Sequence, residues 1–221
     1  MGLIETIAAL FRRKPAVQPM LPPTPVVVVP PMPPVARVFA LTADMLVDGV
    51  GVSATTAAVW IGPLRSACAG FEINTAARAA AFLAQIAHES GRFVWTKELW
   101  GPTDAQKAYE PPGEKAEDLG NTQVGDGLRF CGRGLIQITG RANYADCSKA
   151  LGVDFVASPA SLEQPVYAAL SAAWYWSSRG LNQLADTGDF VTMTKRINGG
   201  TNGLADRQAL WATCKHAMGV L

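Results

Sequence analysis

Two carboxylates nine residues apart, Glu89 and Glu98, are the groups in this 221-residue chain best placed to move protons. They lie in residues 76–100, AARAAAFLAQIAHESGRFVWTKELW. Ala79, Phe82, Leu83 and Ile86 recur at helical spacing and predict a helix with one buried face, which Gly91 stops. Glu89 then sits on the last turn, where the helix dipole disfavours an anion. Phe93 and Trp95 beside it would exclude water. Both effects favour the protonated carboxyl that a general acid needs near neutral pH. A glutamate at a helix end is more often a solvated residue, so the rest of the chain has to decide.

The elements that would position this pair begin near residue 41. Thr42 is a plausible N-cap for a helix ADMLVDGV, Ser53 for TTAAVWIGPLRSACAGF, and Thr75 for the Glu89 helix. Pro63 should break or kink the second of these. Residues 101–127 are polar and rich in Gly and Pro, and read as a long surface loop with one helical turn near 105–109. Residues 135–139, Leu-Ile-Gln-Ile-Thr, are bracketed by glycines and read as a short strand or extended segment, with a helix from Asn143 onward. Gln137, Thr139 and Asn143 would place polar side chains along one wall. Helices follow at 166–179, carrying Trp174, Tyr175 and Trp176, at 189–197, and at 206–218. Asn198-Gly199-Gly200 is a turn signal between the last two.

Upstream, residues 1–14 (MGLIETIAALFRRK) read as a short amphipathic segment, too short in its apolar run to span a membrane. A weak membrane or partner contact is open to it. Residues 15–36 are a Pro-rich linker, expected to be disordered, with nine prolines in residues 15–34 denying both helix and central strand. The catalytic candidate is therefore residues 37–221. No signal peptide is recognisable, because the charges follow the apolar run and no cleavage motif comes next.

Composition narrows the function. Nineteen basic and eighteen acidic residues leave a net charge of +1, without the basic excess that nucleic-acid binding wants. Cys68, Cys131, Cys147 and Cys214 form no C-x-x-C pair, and His88-Glu89 is not followed by a second histidine at zinc spacing. No metal site and no cofactor is expected, and G-x-G-x-x-G is not matched by the Gly132 segment. Buried, reduced thiols are the expectation for the cysteines.

FLAQIAHES at 82–90, GRGLIQITGRANY at 132–144 and KRINGGTNG at 195–203, in that order, resemble glycoside hydrolase family 19, the chitinase and endolysin family. The resemblance runs from about residue 41 to the C-terminus. INTAARAAAFLAQIAHESGRF is most similar to the phage-type, peptidoglycan-lysing branch.

The resemblance implies a mainly α-helical, lysozyme-like bilobal domain with a small extended or β element at the cleft. It implies Glu89 as general acid and Glu98 as general base. Leu99 stands where many phage-type members carry Asn, which keeps Glu110 and Glu114 open as alternative bases. Thr139 would help hold the attacking water. Gln137, Asn143, Tyr144 and Asn198 would contact substrate, and His88 and Arg207 would support the carboxylates. The implied reaction is inverting hydrolysis of β-1,4 bonds between N-acetylmuramic acid and N-acetylglucosamine, with the two carboxyls roughly 6.5–9.5 Å apart. Chitin is the alternative substrate, and an inactive wall-binding module the alternative from another class. A monomer is expected, made in a host cytoplasm and reaching the bacterial wall through a pore.

Overall fold

The computed structural model describes residues 39–220; the readings of residues 1–14 and 15–36 lie outside them. Among the described residues the fold is helical, without a strand. Local chemistry starts the first three helices where the sequence places them. Thr42, Ser53 and Thr75 each accept a backbone N–H from three residues on, capping α1 (Ala43–Val50), α2 (Ala54–Gly70) and α3 (Ala76–Glu89). Pro63 does not break α2, which runs on through it. The carbonyl that loses its partner belongs to Val59, whose residue is half exposed, so water can satisfy it.

The helix carrying Glu89 is buried all round and not on one face. Every residue from Ala79 to Ala87 is buried. Its alanines let neighbouring backbones come close, and α11 (Leu204–Ala217) makes the most extensive contact with it. Phe82 meets the buried Trp176 of α8 (Pro165–Ser178) edge-on at 5.4 Å. Gln85 is the one polar side chain in this run. Its amide nitrogen donates to Thr194 Oγ1 at 2.9 Å, and its oxygen accepts from Arg207 at 2.6 Å, so no polar group is stranded.

Residues 101–127 are more ordered than their composition predicts. They carry the short helices α4 (Asp104–Lys107) and α5 (Glu114–Asp118) and the start of α6 (Asp126–Arg129). These are single turns, too short to leave a periodic pattern. Downstream come α7 (Arg141–Leu151), a 3₁₀ turn (Pro159–Glu163), α8, α9 (Leu181–Thr187), α10 (Phe190–Asn198) and α11. The sequence reading passed over α9.

The β element at the cleft consists of two isolated antiparallel bridges, Lys97 with Arg133 and Arg133 with Ile138. Residues 135–139 are accordingly not extended. Arg133 and Ile138 exchange both backbone hydrogen bonds, at 3.0 and 2.8 Å, and the chain between them is a tight turn. Positive φ at Gly134 (79°) and Gln137 (55°) makes the turn, against the β preference of its isoleucines.

Candidate active site

Glu89 ends α3, and its side chain is 20% exposed. Of the two aromatic neighbours expected to exclude water, Phe93 is buried against Trp60 and Trp95 is half exposed. Arg207, in the first turns of α11 and 2% exposed, donates to Glu89 Oε1 at 2.5 Å. The same guanidinium donates to Gln85 and, at 3.2 Å, to the Asn202 carbonyl. Its planar fork thus ties the carboxylate to the core of α3 and to the loop before α11. Glu89 Oε2 accepts from no protein donor among the described residues. One residue back on each helix, His88 Nδ1 meets Asp206 Oδ2 at 2.6 Å. The Arg207–Glu89 ion pair and the His88–Asp206 contact thus lie side by side across the α3–α11 contact, and Arg92 approaches Asp206 to 4.0 Å.

Glu98 is positioned by the small bridge. Its backbone N–H donates to the Gly132 carbonyl at 2.8 Å, and the Gly134 N–H to the Thr96 carbonyl at 3.0 Å. This register turns the side chain back on the partner strand. Oε2 accepts the Gly132 N–H and Oε1 the Gln106 amide, each at 2.9 Å. A side chain at Gly132 would begin 2.7 Å from Gln137 Oε1 and 3.3 Å from Glu98 Oε2, so it would displace the Gln137 amide and press on the Glu98 carboxylate. Gln106 is itself anchored: its oxygen caps α4 by accepting from Gly101 and Thr103, and its nitrogen also donates to the Leu99 carbonyl. Burial, followed by the charge of Glu98, pushes the Tyr109 phenol above its ordinary value.

A groove of about 200 Å³ is lined by Gln137, Thr139 and Asn143 together with Tyr175, Arg179 and Ile197. Thr139 Oγ1 donates to the Gln137 carbonyl at 2.9 Å, and Asn143 Nδ2 to the Thr139 carbonyl at 2.7 Å. Each keeps acceptor capacity facing outward. Burial pushes the Tyr175 phenol up; Arg179 opposes this and the charge of Glu89 adds to it, which ties the groove electrostatically to the α3 end.

Of the residues expected on the substrate wall, Tyr144 is buried and Asn198 is engaged with its own loop. Tyr144 is fully buried, its hydroxyl donating to the Cys131 carbonyl at 2.7 Å and accepting from Arg133 at 2.9 Å. It braces the turn from behind, because its place on α7 faces the core. Asn198 spends both ends of its amide on its own loop, donating to the Asn202 carbonyl and accepting from Gly200. It shapes the loop that Arg207 grips. Glu110 is committed to backbone N–H groups of Gly125 and Leu128, and Glu114 is exposed at the start of α5.

Residues 55–199 match the family model described as chitinase class I. The chain belongs to glycoside hydrolase family 19. A Haemophilus influenzae protein with a glycosyl hydrolase family 19 domain is 35% identical over 155 residues, covering 60% of this chain and 76% of that protein. An endochitinase of Arabidopsis thaliana is 35% identical over 100 residues, 45% of this chain and 35% of its own length. This chain thus spans about a third of that plant enzyme. Chitinase C from Streptomyces griseus superposes with a TM-score of 0.63 at 22% identity, over 82% of this chain and 77% of its own. At that identity the likeness speaks for the fold, which is the lysozyme-like helical fold of family 19 chitinases.

As a family 19 member the chain is a glycosidase. Sequence reasoning missed Gln85, Gln106 and Asp206, which hold the carboxylates and their supports, and Tyr175 and Arg179, which line the groove. The partners of Gln85 and Asp206 lie far away in the chain, up to 122 residues for Gln85 and Arg207, so no local spacing announces them; Gln106 is eight residues from Glu98. Tyr175 and Arg179 alone left a signal, being four apart on one helix face.

Proposed function

We propose that this enzyme hydrolyses the β-1,4 bond between N-acetylmuramic acid and N-acetylglucosamine in peptidoglycan, with inversion, as an endolysin-like lysozyme. Glu89 gives a proton to the leaving oxygen through Oε2, while Arg207 holds Oε1. Glu98 takes a proton from water. A water that donates one hydrogen to Glu98 and the other to Thr139 Oγ1 keeps a lone pair for the anomeric carbon. After one turnover Glu89 is ionised and Glu98 protonated, and exchange with solvent resets both. Gln137 and Asn143 supply the neutral hydrogen bonds that an acetamido sugar needs.

The observation that carries this reading is the unequal holding of the two carboxylates. Glu89 is gripped by a cation at one oxygen, and Glu98 is oriented by neutral donors alone. The assignment of acid to Glu89 and base to Glu98 itself follows the resemblance to family 19. The similarity of residues 73–93 to the phage-type branch favours peptidoglycan. Chitin is the second reading, because the relatives matched include an endochitinase.

Mass spectrometry and NMR of products from purified peptidoglycan and chitin oligomers, side by side, test both. Hydrolysis with an α anomer formed first is expected. A non-hydrolytic anhydro product would overturn the mechanism, and turnover of chitin alone would overturn the substrate. Glu89→Gln should keep the helical circular dichroism and clear nothing in a wall zymogram; retained clearing removes Glu89 as the acid.

A further inference from the structure

The groove lined by Gln137, Thr139 and Asn143 has neutral walls except for one group. Arg179 lines it, with its guanidinium carbon 3.5 Å from the centre of the Tyr175 ring. Stacking of this kind holds the planar cation in place while leaving its edge N–H groups free to bond. One of them reaches the neighbouring Ser178 hydroxyl at a long 3.3 Å. The backbone is held too, since Arg196 Nη1 donates to the Arg179 carbonyl at 2.9 Å.

Arg179 makes no ion pair among the described residues. The other arginines near the site are committed: Arg207 to Glu89, Arg133 to Glu163, Arg141 to Asp126. A partly buried, pre-oriented guanidinium without an acid is ill-suited to a polymer that carries only hydroxyls and acetamides. It suits a planar anion.

We infer that Arg179, stacked on Tyr175, is a specificity residue that binds a carboxylate carried by the substituted sugar of the substrate. This rests on the peptidoglycan reading and deepens it. In peptidoglycan the carboxylate has two sources. One is the stem peptide; the other is the lactyl group of muramic acid, free once the stem is removed. Chitin has neither, so the residue would separate the two polymers by charge while the rest of the groove reads what they share.

The test compares wild type, Arg179→Gln and Arg179→Lys on four substrates: intact peptidoglycan, the same glycan stripped of stems by an amidase, peptidoglycan with its carboxylates converted to amides, and neutral chitin oligomers. Arg179→Gln should raise KM about tenfold on a carboxylate-bearing substrate, the loss of one charge-assisted hydrogen bond, with kcat within about twofold. Arg179→Lys should recover part of it. On amidated wall and on any chitin oligomer turned over, wild type and variant should coincide. An effect on intact wall that vanishes on stripped glycan assigns the stem carboxylate; an effect that appears only on stripped glycan assigns the lactyl group. Equal loss on charged and neutralised wall, or no loss on either, overturns the inference while leaving the substrate reading intact. A wild type that turns over chitin and no form of peptidoglycan overturns both.

Discussion

Replacing Arg207 with methionine keeps the aliphatic stem in the core and removes only the guanidinium. Three acceptors then lose a donor. The Asn202 carbonyl loses least, because Asn198 still donates to it at 2.9 Å. The Gln85 oxygen, fully buried, is left without a partner, at a cost of about 1–3 kcal/mol. The Glu89 carboxylate loses its cation; removing one member of a buried pair costs about 3–5 kcal/mol, and at 20% exposure the lower end applies. These costs overlap, so a total of about 3–5 kcal/mol is expected, a large fraction of the stability of an ordinary domain. Urea unfolding followed by circular dichroism should show the midpoint falling with an unchanged slope. In the double variant Glu89→Gln/Arg207→Met part of the loss should return, since the stranded charge is gone, giving a coupling of about 1–3 kcal/mol. A loss under about 1 kcal/mol, or strict additivity, would refute the claim that the pair is a shared, desolvated clamp.

Gln106→Ala should cost about 1–3 kcal/mol and depress turnover more than tenfold, because one side chain joins Glu98, the Leu99 carbonyl and the α4 cap; steady-state kinetics beside urea melts would reveal it. The Asp126 carboxyl is pushed up by burial but held below its ordinary 3.8 overall by Arg141 and the N–H groups of Gln123 and Thr122. Its folded pKa being depressed, its contribution is complete above about pH 4 and disappears as pH falls through the folded value; Asp126→Asn should flatten the acid limb of a stability–pH curve. Burial pushes the thiols of Cys68, Cys147 and Cys214 up to about 12, and all four cysteines are free and buried. Ellman's reagent at pH 8 should therefore find almost no thiol in the native protein and four after denaturation.

The helix starts at Thr42, Ser53 and Thr75 were legible in the sequence because a cap is a local contract between a hydroxyl and an N–H three residues on. The order of the three family motifs was equally legible, and with it the candidate pair Glu89 and Glu98. The turn at 133–138 was not: leucine and isoleucines favour extended backbone, and pairing of Arg133 with both Lys97 and Ile138 overrides them. Nor was the all-round burial of α3, since alanines look indifferent until other helices close on them. Tyr144 and Asn198 carry side chains that suit a sugar, yet one faces the core and the other its own loop. Residue type announces what a group can bind; which way it points depends on packing across a hundred residues. That same distance brings Arg207 to Glu89. Sequence supplied the carboxylates, and tertiary structure decided how unequally they are held.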